Sequence, residues 1–464
     1  MNCLAVFKKM LLLQTYFLVF LTKTFSSQKN TLKNMKYLPI NPQLFIENRK
    51  RFAAKLPARS IAIFNANAEV PRSADSIYTF RQNADLFYLS GLDQEQIILV
   101  IFPDCPIPHY REALFIRRTN EHIAVWEGHK YTMKEAREAS GIQNVFWYDS
   151  FDGALPTLMN LAENCFLNLN EHSRADISVA YKDLAFARDM RFRFPLHEFK
   201  RSAPIMHELR AIKSSFEVAL IQEACNITEK AFRRILKFIR PGVLEYEIEA
   251  EIMHEYLRNR ASGPAYPSII AAGKNSCILH YCDNNQECKD GDVILMDFGA
   301  DYGNYAADLT RTIPINGRFT QRQKDVYNAV LRVMKFATSR LVVGTIINDY
   351  HKEVGQMMEE ELIKLGLLDA EAVKKQNPNK PLYKKYFMHG TSHYLGIDVH
   401  DVGSRYRPME AGMVFTCEPG IYIPEENLGI RIENDILVTH SEPIDLMASI
   451  PREVEEIEDL MNSK

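Results

Sequence analysis

Apolar and polar positions follow patterns along this chain that change near its middle. In the first half, short apolar runs end in turn-forming residues, as buried strands do. These runs are Ser60–Asn65, Ile97–Phe102 and Ala113–Ile116. Polar and aromatic stretches separate the runs, and strands that alternate with helical stretches are typical of an α/β layer. The pattern predicts a mixed α/β region over residues 37–204.

A helix with a defined beginning and end opens the second half. Ser214 and Glu217 have the spacing of a capping box. Apolar residues then recur every three or four positions as far as Ile239, and Pro241 ends the pattern. A second helix follows, and its predicted buried face carries Ile248, Ile252 and Tyr256. We place a domain boundary near residue 205, just before this pair of helices.

Strand-like patterns dominate beyond residue 290. They form two predicted hairpins: Val293–Ala300 with Tyr305–Ile315, and Met413–Ile423 with Gly429–Thr439. A helical stretch, Thr320–Leu341, lies between them. The whole chain is therefore predicted to be α/β (α+β), with a second domain over residues 205–464.

Composition excludes several classes of protein. Hydrophobic residues make up 46% and charged residues 25% of the 464 positions, which is typical of a globular chain. Basic and acidic side chains number 56 and 59, so no cationic excess is present for binding nucleic acid. The eight cysteines include no CxxC pair, which argues against a thiolate zinc site and a disulfide framework.

The first 34 residues differ from the rest of the chain. They contain five lysines and no acid, and Lys8 and Lys9 precede the apolar stretch Met10–Leu21. This stretch is too short for a stable membrane span but resembles the core of a signal peptide. Two alternatives stay open: an exported protein with a signal-like leader over residues 1–34, or a cytoplasmic protein whose translation starts at Met35.

Two aspartates carry the first chemical signal. If a hairpin turn is centred on Tyr302 and Gly303, Asp297 lies directly opposite Asp308, with Cβ atoms ~4.5–5.5 Å apart. A solvated outer face could tolerate such a pair, but Asp297 follows the apolar run 293–296 and is expected to be buried. Two buried carboxylates this close need a proton or a cation. We therefore expect a metal site.

Glu418 and Glu433 repeat this theme, because each ends an apolar strand-like run. A loop centred on Glu426 would pair Glu418 with Asn434, which sends the two glutamates to opposite faces. They would converge only through a bulge or an asymmetric loop, and Pro419–Gly420 is a suitable place for one.

Three histidines, His389, His393 and His400, lie within twelve residues. Their clustering beside buried acids favours a functional segment over three unrelated structural histidines, and His400 lies in a strand-like stretch. His280 stands alone, and the residues around it give it no role.

Four acids and one histidine make an oxygen-rich site. Four carboxylates carry four negative charges, which two divalent ions neutralise. Such ligation suits manganese, cobalt or iron better than thiolate-type zinc. A metal pair of this kind activates a water molecule and polarises a carbonyl, which is the equipment for hydrolysis.

These residues resemble a known family, the pita-bread metallopeptidases. Its metal ligands are matched, in order, by Asp297, Asp308, His393, Glu418 and Glu433. The segments HGTSHYLGIDVHDVG, EPGIYI and GIRIEND are similar to those of the Xaa-Pro aminopeptidase (aminopeptidase P) branch, and FRQNADLFYLSGLDQ resembles its N-terminal domain. The likeness covers about residues 37–460 and leaves out residues 1–34.

The resemblance implies a fold and an activity. The fold is an N-terminal mixed α/β domain over residues 37–204, followed by a pita-bread domain over residues 205–464 with a strongly curved antiparallel sheet. The activity is release of the N-terminal residue from peptides with proline in second position, by a hydroxide that bridges two divalent ions. Mn²⁺ is the expected metal, and a homo-oligomer, either dimer or tetramer, is the expected assembly.

The resemblance also implies roles for the metal ligands. Asp297 would hold one ion, and His393 and Glu418 the other, while Asp308 and Glu433 would bridge both. Glu418 would in addition help to move a proton to the leaving prolyl nitrogen.

The residues around the ligands receive roles in the same way. His280 and His400 would bind the carbonyl group and the developing oxyanion, and His389 would line the proline pocket. Arg431 and Tyr422 would support the ligands.

Other proteins with this fold are alternatives. A prolidase, which cuts only Xaa-Pro dipeptides, would share every ligand, although Ser392 stands where prolidases tend to have glycine. Methionine aminopeptidases typically lack the N-terminal domain. A metal-free peptide-binding module would have lost ligands that this chain keeps.

Overall fold

The apolar runs of the first half fold as strands in the computed structural model, which describes residues 37–172, 174 and 181–463. The strands of this half are β1 Ser60–Asn65, β2 Pro71–Ser73, β3 Ser76–Ile77, β4 Ile98–Ile101, β5 Glu112–Ile116, β6 Asn144–Trp147, β7 Asn164–Leu167 and β8 Glu198–Arg201. The three predicted strands are β1, β4 and β5, so these predictions are confirmed. The predicted leader over residues 1–34 lies outside the described residues.

Six of these strands form one mixed sheet in the order β6-β5-β4-β1-β7-β8. The pairs β1–β4 and β4–β5 are antiparallel, and the other three are parallel. The helices of this half are α1 Gln43–Ala53, α2 Ala84–Ser90, α3 Glu121–Glu127, α4 Met133–Ser140, α5 Phe151–Leu161, α6 Lys182–Arg193 and α7 Ala203–Ala211. One face of the sheet forms a core with α5, in which Ile63, Val100, Phe115, Leu155 and Leu158 are buried.

The second half begins with the predicted pair of helices. Its helices are α8 Ser215–Phe238, α9 Glu245–Arg258, α10 Gln321–Arg340, α11 Ile347–Lys364, α12 Ala370–Lys374 and α13 Val454–Asn462. The capping box is present, because Ser214 accepts a hydrogen bond from the Glu217 backbone while the Glu217 carboxylate accepts one from the Ser214 backbone. Ile248, Ile252 and Tyr256 are buried, as predicted.

The remaining strands are short and antiparallel. They are β9 Gly263–Pro264, β10 Ile269–Ala272, β11 Val293–Asp297, β12 Ala300–Tyr302, β13 Tyr305–Ala306, β14 Thr310–Pro314, β15 Val414–Cys417, β16 Gly420–Ile423, β17 Leu428–Arg431, β18 Asn434–Leu437 and β19 Ile444–Asp445. They pair in the orders β10-β11-β14, β13-β12-β9, β15-β18-β19 and β16-β17. The two predicted hairpins are therefore present, but each is broken into two short ladders.

The register of the first hairpin differs from the prediction. Asp297 lies opposite Thr310, and the two-residue turn consists of Gly303 and Asn304. Both turn residues have positive φ, 59° and 63°, as a two-residue turn of type I′ requires. The predicted centre was one residue too early, so Asp297 is not directly opposite Asp308. The residue opposite Asp297 is therefore two positions beyond Asp308, and the side chains of Asp297 and Asp308 still lie on the same face of the hairpin.

The second hairpin also has a different register. Its loop is Pro424–Asn427, so the centre lies just before Glu426 rather than on it. This places Glu418 opposite Glu433 in one continuous register, so the predicted loop centre was wrong and neither a bulge nor an asymmetric loop is needed. The ladder pairs on either side are Cys417 with Asn434 and Gly420 with Arg431.

The segment around His400 is irregular, although a strand-like conformation was predicted. Residues 395–403 contain neither helix nor strand. An isolated bridge between Tyr394 and Phe415 connects the start of the segment to β15. Backbone hydrogen bonds from Leu395 to the Val414 carbonyl and from Ala306 to the Gly396 carbonyl hold the start of the segment, and side-chain contacts add to them. No helix in the described part of the chain is long and apolar enough to cross a membrane.

Candidate metal centre

The four candidate acids lie where strands end. Asp297 is the last residue of β11, and Asp308 lies between β13 and β14. Glu418 and Glu433 lie opposite each other, in the break between β15 and β16 and in that between β17 and β18. At such breaks the backbone leaves the regular ladder, so carboxylates from different strands can turn toward one place.

Asp297 and Asp308 share a hydrogen-bonding partner in Tyr266. The Tyr266 hydroxyl lies 2.6 Å from Asp297 Oδ1 and 2.5 Å from Asp308 Oδ1. A hydroxyl has one proton and can donate to one of these oxygens at a time. The two carboxylates therefore lie close together, and their repulsion favours the binding of additional positive charge.

His393 adds a nitrogen donor to the cluster. Its Nε2 lies 3.4 Å from Asp308 Oδ2 and 3.7 Å from Glu418 Oε1. Its Nδ1 lies 3.0 Å from the Tyr394 carbonyl, so Nδ1 carries the proton and Nε2 is free to bind a metal. Donor atoms of Asp308, His393 and Glu433 all lie within 4.8 Å of one another.

Burial raises the pKa of three of the acids. The pKa of Glu418 rises to about 7, chiefly because burial penalises its charged form. Burial also raises the pKa values of Asp308 and Glu433, and neighbouring carboxylates add to the shift. The folded cluster therefore favours a cation among these oxygens. Carboxylate oxygens with one imidazole nitrogen fit a divalent metal ion.

Arg431 connects the cluster to a second group of polar residues. Its Nη2 donates to Asp297 Oδ2 at 2.6 Å, and its Nη1 donates to the Tyr422 hydroxyl at 2.8 Å. The Tyr422 hydroxyl lies 2.8 Å from Nε2 of His389. The Nδ1 atom of the same ring donates to the Gly390 carbonyl at 2.7 Å. Burial, with Arg431 nearby, lowers the pKa of His389 to about 3, so this imidazole is neutral at pH 7.

His400 lies directly beside the candidate ligand His393. The two ring centres are 4.4 Å apart and the ring planes are nearly perpendicular, at 84°. Burial lowers the pKa of His400 to about 3, and the neighbouring His393 contributes to the shift. His400 is therefore neutral at pH 7 and keeps one N–H donor.

His280 lies in an open cleft. The cleft has a volume of about 450 Å³, and His280, Lys274, Tyr281 and Cys282 are among the residues that line it. His280 and Cys282 are both exposed. His280 is also an electrostatic neighbour of both His389 and His400.

Comparisons with known proteins agree with this site. Residues 219–440 match the family model of metallopeptidase family M24, and residues 45–166 match that of the aminopeptidase P N-terminal domain. The Xaa-Pro aminopeptidase of Escherichia coli (strain K12) is 37% identical over 438 residues, which cover 91% of this chain and 98% of that protein. This chain belongs to metallopeptidase family M24. The predicted relationship to the aminopeptidase P branch is confirmed.

Solved structures support the same relationship. Zinc-substituted E. coli aminopeptidase P in complex with product superposes with a TM-score of 0.81 at 36% identity, covering 91% of this chain and 99% of that one. E. coli aminopeptidase P with the inhibitor Pro-Leu gives a TM-score of 0.80 at 35% identity, with the same coverage. The predicted fold, an N-terminal mixed α/β domain followed by an antiparallel M24 domain, is confirmed. The boundary near residue 205 stays a prediction.

Two residues of this M24 site were missed by sequence reasoning. Tyr266 comes from the loop before β10 and carried no chemical signal in the sequence. Thr310 donates to Glu433 Oε2 at 2.6 Å and accepts from Arg431 Nε at 3.0 Å. Thr310 lies two residues after Asp308 and could have been found, because alternate residues of a strand share a face.

Proposed function

We propose that this M24 protein is an Xaa-Pro aminopeptidase that uses two divalent metal ions, with Mn²⁺ as the expected metal. One observation supports the proposal. The four candidate acids and His393 lie together, in a chain that resembles E. coli Xaa-Pro aminopeptidase over 98% of that protein's length. Asp297 would hold one ion, His393 and Glu418 the other, and Asp308 and Glu433 both. Bound there, the ions would activate water and polarise the scissile carbonyl.

The residues around the ions would share the remaining work. His400, neutral at pH 7, offers one N–H to the carbonyl oxygen, where charge develops in the transition state. His280 would approach the same oxygen from the open cleft. Glu418 would take up a proton and pass it to the prolyl nitrogen, as a general acid–base group does.

An aromatic corner beside Glu418 supports the preference for proline. The His389 ring lies 4.9 Å from that of Phe387 and 5.5 Å from that of Tyr422, edge to face in both pairs. His389 Nδ1 is 3.5 Å from Glu418 Oε2. A pyrrolidine ring is compact and apolar, and this corner would hold it next to the group that protonates its nitrogen. Arg431 would fix Tyr422 and Asp297 at the same time.

The test is a comparison of three peptides with the manganese-loaded protein. We expect Gly-Pro-Ala to be cut after glycine, Gly-Pro to be a poor substrate and Gly-Ala-Ala to resist hydrolysis. Cleavage confined to Gly-Pro would identify a prolidase. Binding of all three without hydrolysis would indicate a metal-free peptide-binding module instead.

Assembly and location stay predictions. A dimer or tetramer is proposed and can be checked by light scattering of the purified protein. We propose a cytoplasmic location, with export directed by residues 1–34 as the alternative. Sequencing the N-terminus of the protein isolated from its own cells distinguishes a start at Met35 from a cleaved leader.

A further inference from the structure

A buried ionic network lies behind His400. Arg210, at the end of α7, donates from Nη2 to Asp401 Oδ1 at 2.5 Å and to Asp398 Oδ2 at 2.8 Å. Lys213 donates to the other oxygen of Asp401 at 3.0 Å. The side chains of Arg210, Lys213 and Asp401 are 4%, 1% and 1% exposed. Two cations, one in the last turn of α7 and one between α7 and α8, therefore hold the two acids that flank His400.

The network adds to the few backbone contacts of this irregular segment. Residues 395–403 form neither helix nor strand, and their backbone hydrogen bonds to the rest of the chain are isolated ones, such as Leu395 N–H to the Val414 carbonyl and Asp401 N–H to the Tyr394 carbonyl. The network also packs tightly against the backbone at Gly396. A Cβ at this position would meet Asp401 Oδ2 at 2.1 Å and Lys213 Cε at 2.9 Å. The position of Asp401 is thus fixed from two sides, and His400 is its immediate neighbour.

The network continues into the first half of the chain. Arg210 Nη1 donates to Asp85 Oδ1 of α2 at 2.8 Å. Arg81 donates to the Ile397 carbonyl at 2.6 Å and forms an ion pair with Asp301. The segment that carries His400 is therefore held by residues from the N-terminal part as well as by Arg210 and Lys213.

We propose that Arg210 and Lys213 are positioning residues for the reaction, which act by fixing the His400 imidazole beside His393 through Asp398 and Asp401. The proposal rests on the proposed function for its kinetic consequences. Arg210 suits this role because its planar guanidinium holds its donors in a fixed fork and binds Asp85, Asp398 and Asp401 together. Removing either cation leaves a buried carboxylate short of a partner, and the segment then shifts to rehydrate it.

The kinetic test is a double-mutant cycle between Lys213 and His400 in the manganese-loaded protein with an Xaa-Pro-Yaa peptide. We expect Lys213→Met to lower kcat by about 10–100-fold, because a displacement of about 1 Å can cost about 100-fold. Lys213→Arg should restore most of kcat. In a His400→Ala background, Lys213→Met should change kcat less than about twofold, since residues that act as one unit are non-additive. Equal losses in both backgrounds would overturn the proposal.

A matched control separates positioning from stability. Arg49 is equally buried, at 1% exposure, and binds Glu112 at 2.7 Å in the N-terminal region. Arg49→Met should lower Tm yet leave kcat unchanged, and a loss of kcat as large as that of Lys213→Met would contradict the proposal. If Lys213→Met does not fold, Asp398→Asn replaces it in the cycle, because Asp398 is 41% exposed and tolerates the change.

A spectroscopic measurement keeps the result independent of activity. In zinc-loaded protein with ¹³C-labelled histidine, the Cε1–H signal of His400 is assigned by its loss in His400→Ala. We expect this signal to shift or broaden in Lys213→Met and to stay in place in Arg49→Met. An unmoved signal in Lys213→Met refutes the positioning role. Failure of the wild-type protein to cut any Xaa-Pro peptide refutes the proposed function alone.

Discussion

Asp308 is contacted from three directions at the candidate metal centre. Tyr266 contacts one carboxylate oxygen and His393 the other. The Asp308 backbone N–H donates to Asp435 Oδ2 at 3.0 Å, which fixes the main chain behind the carboxylate. Both oxygens are therefore aimed at different partners, as a carboxylate that bridges two ions requires.

Asp308→Asn should weaken the binding of both metal ions together while leaving the fold largely intact. The amide keeps the shape of the side chain, but it removes one negative charge and offers one acceptor oxygen where two are needed. Metal stoichiometry measured by atomic emission, with thermal unfolding of the same sample, checks this expectation. Glu458→Gln is the control, because Glu458 is also a buried acid but is paired with Lys324 and not with a candidate metal ligand. Two tightly bound ions in Asp308→Asn would refute the bridging role.

His400→Ala should reduce kcat while both ions stay bound. His400 packs against the ring of His393 instead of joining the acids, and losing one hydrogen-bond donor to a developing oxyanion typically costs about 10²–10³-fold in kcat. Steady-state kinetics and metal analysis of the same preparation make the measurement. If metal content falls in parallel with activity, His400 is a ligand and our assignment is wrong.

Element positions were predictable from the sequence, whereas hairpin register was not. The box of Ser214 and Glu217 fixed the start of α8 because its two hydrogen bonds depend on spacing alone. The turn at Gly303–Asn304 depends on which two residues adopt positive φ, and Tyr-Gly-Asn-Tyr offers two choices of centre. An error of one residue in the turn centre moves the residue opposite Asp297 by two positions. Because alternate residues share a face, the side chains of Asp297 and Asp308 were still predicted to lie on the same face.

Gly299→Ala should push apart the two chain segments that carry Asp297 and Asp308. A Cβ at this position would lie 1.8 Å from the Ala307 carbonyl oxygen and 3.2 Å from the Asp308 nitrogen. Since backbone has to move to relieve this clash, we expect lower Tm and weaker metal binding, both measured by calorimetry. The control is Gly153→Ala in α5, where a Cβ meets nothing within 4 Å. That change should stabilise by about 0.5–1 kcal/mol, and equal destabilisation by both would contradict the mechanism.

For the whole molecule, the cluster of acids links metal content to stability. The folded-state pKa of Glu418, about 7, lies above its usual value of 4.5. The metal-free fold therefore binds more protons than the unfolded chain does, and the stability from this group is lost as pH rises through about 7. Asp308 and Glu433 shift in the same direction. His389 and His400, with pKa values near 3, stop contributing to the pH dependence above about pH 6.5.

Chelation should therefore abolish peptidase activity and make unfolding pH-dependent. Between about pH 6.5 and 8, the free energy of unfolding of the chelated protein should fall, whereas that of the manganese-loaded protein should not. Urea titrations at several pH values measure the difference. Full hydrolysis by protein with no residual metal would refute the metal-dependent function, and Glu418→Gln should reduce the pH effect.

Cys282 gives the cleft a built-in attachment point for a reporter group. It is the exposed member of the seven free cysteines that the structure describes, and it stands two residues from His280 on the cleft wall. A maleimide fluorophore attached there would sit beside His280, which the proposed function assigns to the substrate carbonyl, so it would report on peptides that contact this wall of the cleft. We expect a proline-containing peptide to slow the labelling of Cys282, and an unchanged labelling rate would place the entry route elsewhere.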